Sequence, residues 1–452
     1  MSVPRVLLVP THRTGLANAV AAAVAEIATA QGSRVRYHHL GPLSPVSCWD
    51  RWEGTAFLDP ALYENEQLLG LYDVATRGAH LSLLSSSAGA LDRREGVDWL
   101  PIDVAHLLDC PVVVVLDCRG WGTGIRVLIE GLKSLFVGLN LAGAVLSGIA
   151  DPEHCELLRR VLLEEDVPVA GCLFEGDGPG WETVPPGAWG QPLEPTLLEA
   201  VSRQVDIDGL VKLAGQRGFL SPQNWLIDRG GDGPLIMVAG GRGFSPWSRD
   251  SIEVLRSAGA QIRRLDLTED EALPEETAGL ILAGTAWPAD LLDISLNQLL
   301  LRDLRQRISE GLPTVALGGG MLLLLSKVQD SLGRTVELAD VIPAEGEILW
   351  EMDDPGYVEI TAERDNLLMS KGETVTGWVM TDAEILMPNG GWEPPLTVRG
   401  AGESNAHFEG AGTSSLLCSR VFTHLSATPG MAARFVGQCA AYAAVRSRPD
   451  RD

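Results

Sequence analysis

Twice along the chain, short apolar runs alternate with longer segments in which apolar residues recur at helical spacing. The first series opens with RVLLVP at residues 5–10 and an Ala-rich segment at 16–31, and it includes PVVVVLD at 111–117. The second opens with LIMVA at 235–239 and includes GLILA at 279–283. Strands that alternate with helices bury a parallel sheet between two helical layers. The pattern therefore predicts an α/β fold of two doubly wound domains with mainly parallel sheets.

The segment GFLSPQNWLIDRGGDG at residues 218–233 is rich in glycine and turn-forming residues, which is typical of a linker. We therefore predict a first domain at 1–217, a linker at 218–233, a second domain at 234–445 and a tail at 446–452. Single long helices are expected at 197–213 and 291–310. After residue 336 the predicted strands become shorter and more mixed.

Charge and cysteine content narrow the classes of partner. The chain has 35 Lys and Arg against 60 Asp and Glu, a net charge of -25. This excess disfavours nucleic acid and anionic membrane as partners. Seven scattered cysteines without a CxxC pair predict reduced thiols in a cytoplasmic protein. Cys118 comes closest to the setting of a reactive thiol.

Two strand-to-helix turns carry the candidate site residues. The first, VPTHRTGLANAV at 9–20, leads into a helix whose N-terminal N–H groups are suited to an anion. Its candidate anion or nucleotide ligands are Thr11, His12, Arg13, Thr14 and Gly15, together with Asp117 at the end of a later strand. The second turn, GLPTVALGGG at 311–320, ends in Gly318, Gly319 and Gly320.

In their order and spacing these segments resemble the cobyrinic acid a,c-diamide synthase family. The resemblance also rests on HHLGP at 38–42, GAVLSGIADPEH at 143–154, DVPVAGCL at 166–173, DEALPEETAGLILAG at 270–284 and FTHLSATPGMAARFV at 422–436. It implies a P-loop-like, dethiobiotin-synthetase-like N-terminal domain that uses ATP. It also implies a flavodoxin-like, class I glutamine-amidotransferase-like C-terminal domain, and tetrapyrrole substrates with carboxylate side chains.

The residues that carry ATP chemistry in the family are replaced here. Leu16 and Ala17 stand at the positions of the P-loop Lys and hydroxyl, so the P-loop is degenerate. Ser85 stands where the family has an acidic magnesium ligand, and Ser147 where an Asn contacts adenine. Asp117 is either a metal ligand or a cap on the following loop. We therefore expect no cofactor, and no binding of MgATP in the family manner.

The glutaminase residues are replaced as well. Gly318 stands at the position of the nucleophilic Cys, while Gly319 and Gly320 match glycines of the family's turn. His424 stands at the position of the general base. The oxyanion loop reads AGTAWP at 283–288 with one glycine left, and GWVMTDA at 377–383 lacks the Glu and His of the matching family segment. Without a thiol, no thioester forms with glutamine.

Three functions remain open from the sequence. The first is a pseudoenzyme that binds a tetrapyrrole or another planar carboxylate ligand, or that acts as a partner subunit or homodimer. The second is an amidoligase that uses free ammonia or altered chemistry, and the third is a structural subunit of a hetero-oligomer. His39 and Leu43 depart from the family's substrate segment, where it has Lys and Asp. The expected ligand pocket draws on His12, Arg13, His39, Asp117, Trp287 and His424.

Overall fold

The computed structural model describes residues 3–12, 15–41, 57–86, 88–92, 99–135, 138, 140–176, 195–216, 219–220, 232–240, 249–284, 288–330, 333–348, 356–379, 383–386, 392–400 and 403–446. The chain forms two compact units, Met1–Trp225 and Leu226–Asp452. The division falls inside the segment predicted as a linker, most of which lies outside the described residues.

The first unit alternates strands and helices as the sequence predicts. Its elements are β1 (Arg5–Pro10), α1 (Leu16–Ala30), β2 (Val35–Leu40), β3 (Phe57–Leu58), α2 (Asn65–Ala75), β4 (Leu81–Ser85), α3 (Pro101–Leu107), β5 (Val112–Asp117), α4 (Ile125–Leu135), β6 (Leu141–Ile149), α5 (Pro152–Glu164), β7 (Val169–Phe174), α6 (Pro195–Gln204) and α7 (Ile207–Ala214).

The seven strands form one parallel sheet in the order β3-β2-β4-β1-β5-β6-β7. The chain leaves β1 towards β2 on one side and leaves β5 towards β6 on the other. Ligands of open α/β sheets bind where such connections diverge, at the carboxyl ends of the strands. In this unit that point lies between the ends of β1 and β5, beside Thr11 and Asp117.

The prediction of one continuous helix at 197–213 is wrong, because the structure has two helices there, α6 and α7. Asp206 begins the second helix, and its side chain accepts a hydrogen bond from Gly209 N at 2.8 Å. The preceding Val205 bridges to Gly171 on β7. A capping aspartate and a backbone bridge satisfy groups that a continuous helix would use, so the break is stable.

The second unit holds β8 (Leu235–Gly240), α8 (Arg249–Ser257), β9 (Gln261–Asp266), β10 (Thr277–Gly284), α9 (Pro288–Leu296), α10 (Gln298–Ser309), β11 (Thr314–Gly318), α11 (Gly319–Leu323), β12 (Leu325–Gln329), β13 (Thr335–Glu337), β14 (Ile342–Ile348), β15 (Gly356–Ala362), β16 (Thr374–Val379), β17 (Ala383–Leu386), β18 (Leu396–Gly400), β19 (His407–Glu409), β20 (Ala411–Gly412), β21 (Leu416–Ser419), β22 (Val421–Phe422) and α12 (Pro429–Arg446).

Its main sheet has the order β20-β21-β11-β10-β8-β9, in which only β20 runs antiparallel to its neighbour. Two smaller sheets, β13-β12-β14-β17 and β19-β18-β15-β16-β22, pair mostly antiparallel. These short strands agree with the change of pattern after residue 336. The described structure thus confirms an α/β fold, with a parallel sheet in the first unit and a mainly parallel main sheet in the second.

The prediction of one long helix at 291–310 is also wrong, because Asn297 separates α9 from α10. Its side chain donates to the carbonyl oxygens of Leu267 and Asp270, at 3.1 and 2.8 Å. Its Oδ1 also accepts from Leu300 N at the start of α10. Apolar periodicity does not reveal such a break, since the partners of Asn297 lie far away in the sequence.

The prediction that all seven cysteines are reduced is wrong for one pair. Cys155 on α5 and Cys172 on β7 are joined by a disulfide, with their Cα atoms 6.6 Å apart. The two elements pack side by side, and this brings together thiols that are 17 residues apart. A cytoplasmic location stays a prediction. Within the described ranges, no helix is long and apolar enough to cross a bilayer.

Candidate functional site

The N-terminal turn, comprising Thr11, His12, Gly15 and Leu16, joins the carboxyl end of β1 to α1. Thr11 is half-buried and His12 exposed, so polar groups of this turn reach solvent. Leu16 is 3% exposed and packs into the core of the unit with the fully buried Ala17. The position of the family Lys therefore faces apolar neighbours. Arg13 and Thr14 lie outside the described residues.

Asp117, at the end of β5, is held by the loop that follows it. Its Oδ1 accepts from the backbone N–H of Arg119 at 3.1 Å and from Arg119 Nε at 3.0 Å. These hydrogen bonds, aided by the charges of Arg119 and His12, hold the pKa of Asp117 below its usual range. Of the two roles the sequence left open for Asp117, the geometry is that of the loop cap.

Ser85 ends β4 and takes part in a buried chain of neutral hydrogen bonds. It donates to Asn18 Oδ1 at 2.7 Å, and its oxygen lies 2.6 Å from the hydroxyl of Tyr37. The side chain is fully buried. A carboxylate at this position would serve a hard cation, whereas this chain of a serine, an amide and a phenol carries no charge. Across the described ranges, no group of three or more His, Cys, Asp or Glu side chains is placed to hold a metal ion.

The thiols of the first unit are poorly placed for chemistry. Cys118 is fully buried, and burial raises its pKa to about 12. A thiol with so high a pKa carries almost no thiolate at neutral pH. Burial likewise raises the pKa of Cys110 to about 12. The residue that the sequence ranked first as a reactive thiol is therefore part of the core.

The elbow, defined as Gly318, Gly319 and Gly320, lies where β11 passes into α11. Gly318 has φ 60° and ψ -124°, a backbone conformation that glycine adopts far more easily than other residues. A Cβ on Gly320 would lie 1.6 Å from Leu282 O, so only glycine lets α11 approach β10 this closely. The tight turn that the sequence predicts is therefore present, and the backbone of Gly318 has a conformation that would strain any other residue.

The space beside Gly318 is filled by an aromatic ring. A Cβ at Gly318 would lie 2.1 Å from Phe422 Cζ and 2.4 Å from Cε2. Phe422 stacks on Trp378 with ring centroids 5.6 Å apart and an interplanar angle of 9°. Both side chains are buried. The sequence did not indicate a role for Phe422. No local pattern shows that its ring packs against a turn about a hundred residues earlier in the chain.

His424, at the family's base position, belongs to a buried polar cluster with Asp250 and Ser426. Its Nε2 lies 3.3 Å from Asp250 Oδ2, and its Nδ1 lies 2.8 Å from Ser426 Oγ. Ser426 also donates to Asp250. Burial lowers the pKa of His424, and the negative charge of Asp250 opposes this effect. Asp250 and Ser426 were not singled out by the sequence, since only the fold brings α8 to this histidine.

The remaining candidates are distributed as follows. His39 is buried on β2, beside Ser85 of β4 in the register of the sheet. His38, its neighbour, contacts Tyr72 edge to face at 5.6 Å. Trp287 and its two predecessors in the loop at 283–288 lie outside the described residues. The structure thus brings together Thr11, His12 and Asp117 in one unit, and Gly318, Phe422, Trp378 and His424 in the other.

The chain is similar in sequence to several proteins of known function. No protein-family profile matches the chain. The hydrogenobyrinate a,c-diamide synthase of Mycobacterium tuberculosis is 27% identical over 401 residues, covering 85% of this chain and 86% of its own length. The cobyrinate a,c-diamide synthase of Picrophilus torridus is 24% identical over 393 residues, with 84% and 86% covered. That of Salmonella typhimurium is 26% identical over 336 residues, with 71% and 72% covered.

Among solved structures, one described as a glutamine amidotransferase is similar to 46% of this chain and to 99% of its own, with 15% identity and a TM-score of 0.33. The chain is therefore similar over most of its length to cobyrinate and hydrogenobyrinate a,c-diamide synthases. The resemblance drawn from its ordered motifs is confirmed.

Proposed function

We propose that the chain is a non-catalytic relative of the cobyrinic acid a,c-diamide synthases, one that has lost ATP and glutamine chemistry. In this role it binds a tetrapyrrole or a similar planar carboxylate, alone or as a partner subunit. The observation that carries the proposal is the elbow, where Gly318 offers no nucleophile and the Phe422 ring fills the space of its side chain. Acyl transfer from glutamine requires a thiolate at this turn.

The first unit supports the same proposal independently. Leu16 packs into the core at the position of the family Lys, and Ser85 makes neutral hydrogen bonds at the position of the family acid. Asp117 is already paired with Arg119. A triphosphate with magnesium needs cationic and carboxylate partners that these residues do not supply.

The relatives and the remaining polar groups support this ligand class. The relatives are named for hydrogenobyrinate and cobyrinate, which are tetrapyrrole carboxylates. Thr11 and His12 stay at the surface next to the N-terminus of α1, where N–H groups favour anions. In the proposal, Arg13 pairs with a carboxylate of the ligand.

Loss of chemistry is tested with the purified full-length chain. Glutamate release from glutamine is expected to equal the no-enzyme control, both in the wild type and in Gly318→Cys. Calorimetry at millimolar MgATP is expected to show no binding. Glutamate release above the control by the wild type, or a dissociation constant for MgATP below about 100 μM, would refute the proposal.

Ligand binding is tested by absorbance titration with sirohydrochlorin and cobyrinic acid. The wild type is expected to bind at least one of them, with weaker binding in Arg13→Ala. Arg203→Ala is the matched control, because Arg203 is an exposed arginine on α6 that pairs with Glu199. Absence of binding to both compounds would favour the structural-subunit alternative. Amide formation from cobyrinic acid with ATP and ammonium would favour the ammonia-dependent ligase.

A further inference from the structure

We infer that Phe422 closes the elbow from within, so that positions 318 and 422 form a coupled pair. Gly318 tolerates a side chain only when residue 422 lacks the far end of the phenyl ring. On this view the missing thiol is one of two barriers to chemistry at the elbow. The inference does not rest on what the protein binds, because it concerns the packing of the second unit alone.

The overlap at Gly318 has two parts that an experiment can separate. A Cβ there would meet the ring atoms Cζ and Cε2 of Phe422 at 2.1 and 2.4 Å. It would also meet the backbone oxygen of Gly284 at 2.9 Å. The contact with Gly284 and the unfavourable φ of 60° persist whatever residue stands at 422. Only the first part depends on the phenyl ring.

The ring has little freedom to move aside. Phe422 is 1% exposed and stacks on the fully buried Trp378, which also contacts the ring of His424 at 5.8 Å. The backbone of β22 pairs with β16, with Phe422 opposite Trp378. Gly377 lets these strands approach, since a Cβ on it would lie 2.2 Å from Phe422 O. A close-packed interior transmits such an overlap as strain rather than absorbing it.

The space that the Phe422 ring now fills is suited to a flat apolar group. It is bounded on one side by the face of the Trp378 ring, on which the phenyl ring stacks. Leucine at position 422 removes Cε2 and Cζ, the two overlapping atoms, and keeps the side chain apolar. A side chain introduced at 318 could then enter the space that the ring now fills.

The test is a thermal double-mutant cycle on the full-length chain with Gly318→Ala, Phe422→Leu and the double variant. Gly318→Ala is expected to lower Tm by about 10 °C or more in the wild type, and by at least about 5 °C less when residue 422 is leucine. Recovery of a folded double variant when Gly318→Ala alone does not fold gives the same support.

Gly372→Ala is the control, because Gly372 also has a positive φ, of 82°, and a Cβ there would have nothing within 4 Å. Its loss of Tm is expected to be equal in the wild-type and Phe422→Leu backgrounds. An equal loss of Tm for Gly318→Ala in both backgrounds would overturn the coupling. Failure of Gly318→Ala to fold in both backgrounds would overturn it as well. The double-mutant cycle measures stability and not glutaminase activity. The coupling can therefore be overturned while the proposed function holds, and the reverse.

Discussion

The N-terminal turn and the elbow stand at the carboxyl ends of parallel strands, yet they differ from a catalytic site in different ways. At the N-terminal turn, Leu16 is buried at the position where the resemblance implies a Lys, while Thr11 and His12 reach solvent. At the elbow, Gly318 keeps the positive φ of the turn, but Phe422 fills the adjacent space.

The two turns therefore differ in charge and in space. A site that loses its charges but stays at the surface can still accept a different ligand, because backbone N–H groups and small polar side chains remain. A site filled by a buried ring offers no volume to any ligand until that ring changes. We therefore place the candidate ligand groups around the N-terminal turn, and expect the elbow to be structural.

The largest effect that would sharpen this comparison is expected at Gly320. In Gly320→Ala the new Cβ would overlap the backbone oxygen of Leu282, which has no flexible end to move. We expect a loss of more than about 4 kcal/mol in unfolding free energy, or no folded protein. Denaturant unfolding measures it, with Gly372→Ala as the control. A Tm within about 2 °C of the wild type would contradict the packing of α11 on β10.

The next effect concerns an attempt to restore charge at the N-terminal turn. Leu16→Lys places an ammonium group in an apolar core, and we expect a loss of about 2–4 kcal/mol. MgATP binding should not return, because Ser85 and Asp117 remain engaged. Leu16→Met, which keeps the volume, is expected to cost less than about 1.5 kcal/mol. Measurable MgATP binding by Leu16→Lys would mean that Leu16 alone prevents MgATP from binding at this turn.

A smaller loss of unfolding free energy is expected when Ser85 is removed from the chain of neutral hydrogen bonds. Ser85→Ala leaves Asn18 and Tyr37 each short of a buried partner, at a cost of about 1–3 kcal/mol. Ser82→Ala on the same strand is the matched control, since the buried Ser82 hydroxyl makes no hydrogen bond within the described structure. Equal losses in the two variants would show that the chain of hydrogen bonds does not stabilise this unit.

The smallest effect is the pH dependence that His424 adds. Its pKa is lowered in the folded chain by burial, against the opposing charge of Asp250, whereas an unfolded histidine takes up a proton near pH 6.5. The stability tied to neutral His424 is therefore fully present above about pH 6.5 and is lost as the pH falls below it.

Between about pH 7.5 and 5.5, the unfolding free energy of the wild type should fall more than that of His424→Asn. Denaturant unfolding at each pH measures the difference. His407→Asn, at an exposed histidine on β19, is the control and should match the wild type. An identical pH dependence in wild type and His424→Asn would argue against a neutral, buried His424.

Much of the fold follows from local pattern, and the exceptions share a cause. Strand positions, the glycine turn and the shorter strands after residue 336 agree with periodicity and turn residues. The helices at 197–213 and 291–310 break because Asp206 and Asn297 find capping or carbonyl partners. Cys155 and Cys172 pair because α5 packs beside β7. Each correction depends on a partner that the local pattern does not reveal.

The sequence by itself determined which side chains stand at each turn: Leu16, Gly318 and His424, at positions to which the resemblance assigns a Lys, a Cys and a general base. Residue identity is local information, and it decides at once which charges and nucleophiles a turn can offer. Only the tertiary structure decided what occupies the remaining space. Phe422, Asp250 and Asn18 reach their sites through strand pairing and helix packing across long stretches of chain, because close packing in a core depends on neighbours in space.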